Sequence, residues 1–172
     1  QFGVLGTRQI MGGYDGPLIG TILKPSVGLG PSETANLVKT LVEAGIDFIK
    51  DDELQANGSH CPFDDRLEAV MRVINRHTDK TGKKVLYAAN ITDEIDQMWR
   101  NLDTMQNHQA NCAMVCLHSI GLPGLHAVRK HSLALIHGHR AGWGLFSRSP
   151  DIGISFTVMQ KLWRLAGTDH LH

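Results

Sequence analysis

The stretch GIDFIKDDELQ, Gly45 to Gln55, decides how this chain is read. Gly45 punctuates, Ile46 to Lys50 reads as a short strand, and three carboxylates follow the lysine without interruption: Asp51, Asp52 and Glu53. Side chains two apart in a strand share a face, so Lys50 and Asp52 point the same way and Asp51 points to the other side. Glu53 falls where the strand frays into its loop and can bend back. Two carboxylates beside an amine suit a hard, oxygen-liganded cation such as Mg²⁺. A free ammonium would repel that cation. The conflict disappears if Lys50 is neutral and takes up CO₂ as a carbamate, which makes it a third anionic oxygen ligand. The plainer reading is a solvated loop with Lys50 as a surface partner of its charges, and spacing alone leaves both open.

Outward from this stretch, strand-length runs alternate with segments of helical period. PLIGTILK (Pro17 to Lys24) reads as a buried strand, and Pro31 opens a helix whose Leu37, Val38, Leu41 and Val42 share one face before Gly45 closes it. After Ile46 to Lys50, Pro62 opens a second helix with Leu67, Val70, Met71 and Ile74 on its inner stripe, and TGKK turns the chain into the strand VLYAAN. A helix near Glu94 to Met105, the strand AMVCLH, a helix near Pro123 to His131, the strand ALIHGH, a helix near Phe156 to Leu165 and a strand in DHLH complete the pattern.

Helical crossovers return each strand in the same direction, so the strands are expected to be parallel. An open doubly wound sheet would carry a G-x-G-x-x-G turn after its first strand, and none stands there. Polar residues instead gather at every strand end: Lys24, Lys50 to Glu53, Asn90, His118, His139 with Arg140, and His170 to His172. Chemistry at the carboxyl ends of many strands is the habit of a (β/α)₈ barrel, which needs about 250 residues. The expected fold is therefore α/β, an incomplete parallel (β/α)₈ TIM barrel with about six of its eight βα units. Of the 172 residues 42% are hydrophobic, enough for a core, and 17 Lys plus Arg balance 17 Asp plus Glu. Nothing in that balance favours nucleic acid or an anionic membrane. No apolar run reaches the ~18 residues of a membrane span, and no charged-then-apolar leader opens the chain. Cys61, Cys112 and Cys116 lack zinc or disulfide spacing, which fits a reducing cytoplasm. Gln1 rather than Met stands first, as in a piece of a longer chain.

TILKPSVGL, GIDFIKDDE, NIT, HGHRAGWG and LWRLAGTDHLH, in this order and at these spacings, resemble the catalytic domain of the RuBisCO superfamily from about Tyr14 to His172. The resemblance implies residues 1–15 as a linker from an N-terminal domain and residues 16–172 as the truncated barrel. It implies Mg²⁺ held by carbamylated Lys50, Asp52 and Glu53, with CO₂ entering as the carbamate. Lys24 then handles protons during enolisation, His139 is a base candidate, and Arg140 and His172 hold a substrate phosphate. The implied assembly is an antiparallel homodimer or larger, in which a partner's N-terminal domain completes each site.

Departures from the true carboxylases narrow the activity. Ser26 stands where they carry a second lysine, Ile22 where they carry threonine, and Trp143 where they carry histidine. Such departures resemble the RuBisCO-like, form IV proteins, and GHRAGWG with KLWRLAGTDHLH is most similar to the group containing 3-oxo-isoapionate-4-phosphate decarboxylases. The expectation is Mg²⁺-dependent enolisation and decarboxylation of a phosphorylated keto-sugar acid. The alternatives are a ribulose-1,5-bisphosphate carboxylase large chain, an isomerase or enolase of sulfur salvage, and an inactive fragment. Elsewhere, His137 reads equally as a packed histidine or a functional one. Asn90 and Thr92 read as caps of the following helix ahead of ligand-binding residues, and Trp143, Trp163 and Leu162 read as packing residues. His118, His126 and His131 show no ligand spacing.

Overall fold

The structure, a computed structural model, describes residues 2–13 and 15–172; Gln1 and Tyr14, both within the expected linker, lie outside the described residues. A short helix α1 (Gly3–Ile10) precedes strand β1 (Gly20–Ile22). The chain then alternates through α2 (Pro31–Glu43), β2 (Phe48–Lys50), α3 (Phe63–Thr81), β3 (Leu86–Asn90), α4 (Ile95–Asn107), β4 (Cys112–Cys116), α5 (Leu117–His131) and β5 (Leu135–His139). It continues with α6 (Gly144–Ser147), α7 (Phe156–Ala166) and β6 (His170–Leu171). All neighbouring strands pair in parallel, in the order β1-β2-β3-β4-β5-β6. This is the expected curled part-barrel of six βα units.

Local chemistry sets the element ends. Pro31 occupies the first turn of α2, where its missing N–H costs nothing, and Glu33 reaches back to accept from the Gly30 N–H at 2.7 Å. Gly82, with φ 74°, lets α3 stop in a left-handed residue. Gly121 (φ 64°, ψ −178°) breaks α5 in a conformation closed to residues with a Cβ. The first strand is shorter than PLIGTILK predicts. Pro17 has no N–H to give, and the Ile19 N–H is taken by the Asp47 side chain at 2.9 Å, so the ladder starts at Gly20. Leu117 and His118, expected in a strand, open α5 instead, because the Cys116 N–H leaves the ladder for Thr92 Oγ1 at 2.9 Å.

Strand alternation divides the core into two layers. Ile49, Tyr87, Ala89, Ala113, Val115 and Ile136 face the helices, where they meet Leu67, Val70 and Ile74 of α3, Met98 and Leu102 of α4, and Leu125 of α5. Each such fully buried aliphatic side chain contributes about 1.5–3 kcal/mol. Leu86, Ala88, Cys112, Met114 and Leu135 face the concave side, under Met11 and Ile10 from the α1 end. This inner face leads upward to the polar strand ends. Trp163 is buried as expected, but Leu162 is 45% exposed on the outer side of α7, so its packing role is not borne out.

Candidate active site

The inner-face register of β2 brings Lys50 opposite Ala88 of β3 and Ile22 of β1. Lys50 is only 3% exposed and Asp51 and Asp52 are 1% exposed, so the reading of these residues as solvated loop charges fails. The Lys50 Nζ donates to the Asp51 carbonyl at 3.1 Å, lies 3.8 Å from Glu53 Oε2, and approaches Met114 Sδ at 3.9 Å. Burial holds its pKa below that of an ordinary lysine, against the opposing pull of Glu53, Asp52 and Asp51.

Asp52 accepts from Lys24 Nζ through Oδ2 and from the Leu54 N–H through Oδ1 at 2.9 Å. Burial pushes its carboxyl up, but the Lys24 and Leu54 hydrogen bonds outweigh that and leave it below the usual range. Lys24 also donates to Ser26 Oγ at 3.1 Å, and its hydrogen bond to Asp52 raises its pKa. In this arrangement Lys24 is an ammonium that holds its proton more tightly than an ordinary lysine. Glu53 Oε2 lies 3.6 Å from His139 Nε2. Because the Ala141 N–H donates to His139 Nδ1 at 3.1 Å, Nε2 carries the proton of the neutral ring and points it at Glu53. Burial, followed by Lys50, lowers the His139 pKa to about 4, which keeps the ring neutral. His172 lies beside it, ring centroids 4.8 Å apart, and Arg140 follows as an exposed residue whose guanidinium sits 5.9 Å over the Phe156 ring.

The sequence-predicted residues Lys24, Lys50, Asp52, Glu53, His139 and His172 thus form one contiguous, partly buried polar network at the carboxyl ends of β1, β2, β5 and β6, with Arg140 at its edge. Among the described residues no three His, Cys, Asp or Glu side chains converge as a ready-made metal cluster. Glu53 does lie beside the Lys50 amine at 3.8 Å, and the charge of Asp52 acts on it as well. An ammonium there opposes a cation, whereas a neutral buried amine carrying CO₂ supplies the missing oxygen ligand, so the donor set fits Mg²⁺ in the carbamylated form.

Several residues singled out in the sequence take other roles than expected, and Arg66 was not singled out at all. Asn90 and Thr92 do not cap α4, which starts after Glu94 with no side-chain cap. Asn90 Nδ2 instead donates to the carbonyls of Asp52 (3.2 Å) and Glu53 (3.1 Å), while its Oδ1 accepts from the Thr92 hydroxyl at 2.7 Å. Asp51, on the opposite face, binds Arg66 and Tyr87 in the helix layer. Arg66 was detectable, because with Phe63, Leu67, Val70 and Ile74 it occupies the apolar stripe of α3.

His137 lies one layer below His139 and faces a cavity of about 400 Å³ that Phe48, Leu86, His170 and Thr7 also line. Both of its ring nitrogens are buried without a hydrogen-bond partner. Burial, helped by His170, Lys50, His172 and His139, lowers its pKa to about 3. The unfolded chain therefore takes up this proton first, and stability is lost as pH falls below about 6.5 toward 3. His137→Phe should reduce the loss between pH 7 and pH 4.5 by roughly 2–3 kcal/mol in urea titrations. An unchanged acid limb would show that His137 is solvated.

Residues 3–172 match the family described as ribulose bisphosphate carboxylase large chain, catalytic domain. The 3-oxo-isoapionate-4-phosphate transcarboxylase/hydrolase of Xanthobacter autotrophicus is 54% identical over 171 residues, which are 99% of this chain and 41% of that protein. The 3-oxo-isoapionate-4-phosphate decarboxylase of Rhizobium etli is 45% identical over 170 residues, 98% of this chain and 41% of that protein. The crystal structure of a rubisco-like protein from Burkholderia fungorum superposes with a TM-score of 0.95 at 44% identity, covering 99% of this chain and 42% of that one. The chain therefore spans about two fifths of the length of these proteins. No described helix is long and apolar enough to cross a membrane. With the Lys50–Glu53 stretch at the end of the second of six parallel strands, and a family match over nearly every residue, the chain belongs to the RuBisCO large-chain family as a stretch of its catalytic domain.

Proposed function

We propose that this chain is the metal-bearing part of a RuBisCO-like enzyme that cleaves the carboxylate from a phosphorylated β-keto sugar acid such as 3-oxo-isoapionate 4-phosphate. Residues 1–15 would link it to an N-terminal domain, and the enzyme would work in the cytoplasm as a homodimer or larger. The observation that carries the reading is the buried, pKa-lowered Lys50 amine with Asp52 and Glu53 at its side. The neutral amine attacks CO₂, a C–N bond forms and a proton leaves, so that Lys50, Asp52 and Glu53 would hold Mg²⁺. Bound there, the ion would supply Lewis-acid stabilisation of the negative charge that builds on the substrate oxygen.

The chain's own residues do the rest. Arg140 and His172 orient the substrate through its phosphate, Arg140 by its planar fork. Lys24, held as an ammonium, returns a proton to the carbon left after the carboxylate departs. His139 offers its Nε2–H at the strand ends, and to act as a base it would have to take the other tautomer, with the proton on Nδ1 in place of the Ala141 hydrogen bond and the Nε2 lone pair free. Ser26 and Trp143, in place of residues that the carboxylases use, argue against ribulose bisphosphate as substrate.

A second reading has its own support, since the 54% identical relative is named a transcarboxylase/hydrolase rather than a decarboxylase. The two differ in the fate of one carbon. The full-length protein, given Mg²⁺, bicarbonate and substrate labelled with ¹³C in its carboxylate, should release the label as CO₂ and bicarbonate. Label retained in an organic acid would favour transcarboxylation and hydrolysis. Radiolabelled bicarbonate appearing in a three-carbon acid from ribulose bisphosphate would establish a carboxylase instead, and no turnover of either substrate would leave sulfur salvage or an inactive fragment.

A further inference from the structure

Behind the polar strand ends, on the helix side of the sheet, lies a second charged cluster that is sealed from water. Asp51, Arg66 and Tyr87 are all buried, Arg66 to 1% exposure despite its length. Asp51 Oδ1 accepts from the Tyr87 hydroxyl, and Oδ2 accepts from Arg66 at 3.2 Å and from the Asn90 N–H at 2.9 Å. The Arg66 guanidinium also donates to backbone: Nη1 to the Cys61 carbonyl at 2.9 Å, and Nη2, the nitrogen that meets Asp51, to Ala56 at 3.0 Å and Gln55 at 3.4 Å. Gln55 and Ala56 lie in the middle of the loop between β2 and α3 and Cys61 near its end, and this loop carries Asp52 and Glu53.

A buried ion pair is weak evidence for stability, since an apolar replacement of both partners often does as well or better. Its geometric consequence is more specific. A single arginine fixes one loop at several points to a helix, and Asp51 relays that to Asn90, whose side chain holds the carbonyls of Asp52 and Glu53. The cluster also holds the Asp51 carboxylate on the helix side, turned away from the strand ends.

We propose that Arg66, acting through Asp51 and the β2–α3 loop, is a positioning residue that sets Asp52 and Glu53 for cation binding, with Tyr87 as its support. This rests on the reading of Lys50, Asp52 and Glu53 as the metal site. Outer-shell partners of this kind change metal affinity by about 10–100-fold when replaced.

The test uses the full-length protein with CO₂ present and compares Arg66→Lys and the milder Tyr87→Phe with Val70→Ala. Val70 is a fully buried α3 residue that touches the core and not the loop's hydrogen bonds, so it matches for helix destabilisation. Calorimetric Mg²⁺ titration, and the number of waters left on bound Tb³⁺ from its luminescence lifetime, report on the ligands directly. Arg66→Lys should weaken Mg²⁺ by about 10–100-fold and add water to Tb³⁺, Tyr87→Phe should do so less, and Val70→Ala should leave both unchanged. Equal behaviour of Arg66→Lys and Val70→Ala would overturn the proposal and reduce Arg66 to a packing residue. A wild-type protein that binds neither ion would instead refute the metal-site reading. Hydrogen exchange then decides: faster exchange at the Leu54 and Asn90 amides in Arg66→Lys, but not in Val70→Ala, supports the positioning role, and equal exchange rejects it.

Discussion

Lys50→Met is expected to make the protein more stable while removing every trace of CO₂-dependent Mg²⁺ binding. The stability gain follows from what the ammonium lacks. Nζ has three protons to donate, one backbone acceptor at 3.1 Å, and Glu53 and Met114 at 3.8 and 3.9 Å. Its removal strands no buried carboxylate, because Asp52 is held by Lys24 and the Leu54 N–H, and Glu53 is partly in water. Replacing a buried charge with an apolar side chain of similar volume is worth up to about 1–4 kcal/mol. At roughly 2–4 °C per kcal/mol in a protein of this size, Tm should rise by several degrees in CO₂-free buffer.

The pH dependence gives a second handle on the same residue. Burial puts the folded pKa of Lys50 below the ordinary lysine value of 10.5, so the unfolded chain binds the proton more tightly. Wild-type stability therefore increases as pH rises from the folded pKa toward about 10.5, and the advantage of Lys50→Met shrinks over that window. Scanning calorimetry at pH 7 and pH 10 checks this. A lower Tm for the variant at both values would mean that the Glu53 contact outweighs the desolvation of the amine. Function would then have been gained without a cost in stability.

Lys50 was legible because two periods coincide at it. The period of two in β2 separates Lys50 and Asp52 from Asp51, and the parallel register then fixes which side is concave. The same arithmetic placed His137 and His139 on one face and the α3 stripe against the sheet. Burial was not legible, because it depends on partners far along the chain. Asp51 looks like one more loop charge until Tyr87 closes over it from 36 residues away. Asn90 looks like a cap until the β3 register puts its amide beneath the Asp52 and Glu53 carbonyls. Helices α1 and α6 were missed for a different reason. At 8 and 4 residues they are too short for a periodic stripe, and α1 is held by a residue at the other end of the chain.

That residue is Asp169, and Asp169→Ala should cost about 3–5 kcal/mol, the usual result of removing one member of a buried, hydrogen-bonded charge pair. Its side chain is fully buried. Oδ1 accepts from the N–H groups of Phe2 (2.6 Å) and Gly3 (2.9 Å), which are unsatisfied donors at the start of α1. Oδ2 accepts from Arg129 (2.6 Å) and from the Ile136 N–H in β5 (2.9 Å). One carboxylate thus joins α1, α5, β5 and the start of β6. Burial raises its pKa, yet the backbone hydrogen bonds and Arg129 outweigh this and leave it below 3.8, so its contribution persists at neutral pH and is lost only as acid protonates the folded form. Alanine would leave the Arg129 guanidinium, still bonded to the Gly167 and Ala134 carbonyls, without its counter-charge, and would strand three backbone donors at once. Asp169→Asn retains one acceptor but turns an NH₂ group toward existing donors, so it should recover little. Urea unfolding measures the global loss, and hydrogen exchange across Gly3–Ile10 reports whether α1 leaves the concave face, where its Thr7 hydroxyl meets His170 Nε2 at 2.8 Å. If α1 exchanges as slowly in Asp169→Ala as in the wild type, the apolar contacts of Met11 and Ile10 hold it without the carboxylate. The large stability loss would then have to come from Arg129 and the Ile136 N–H of β5.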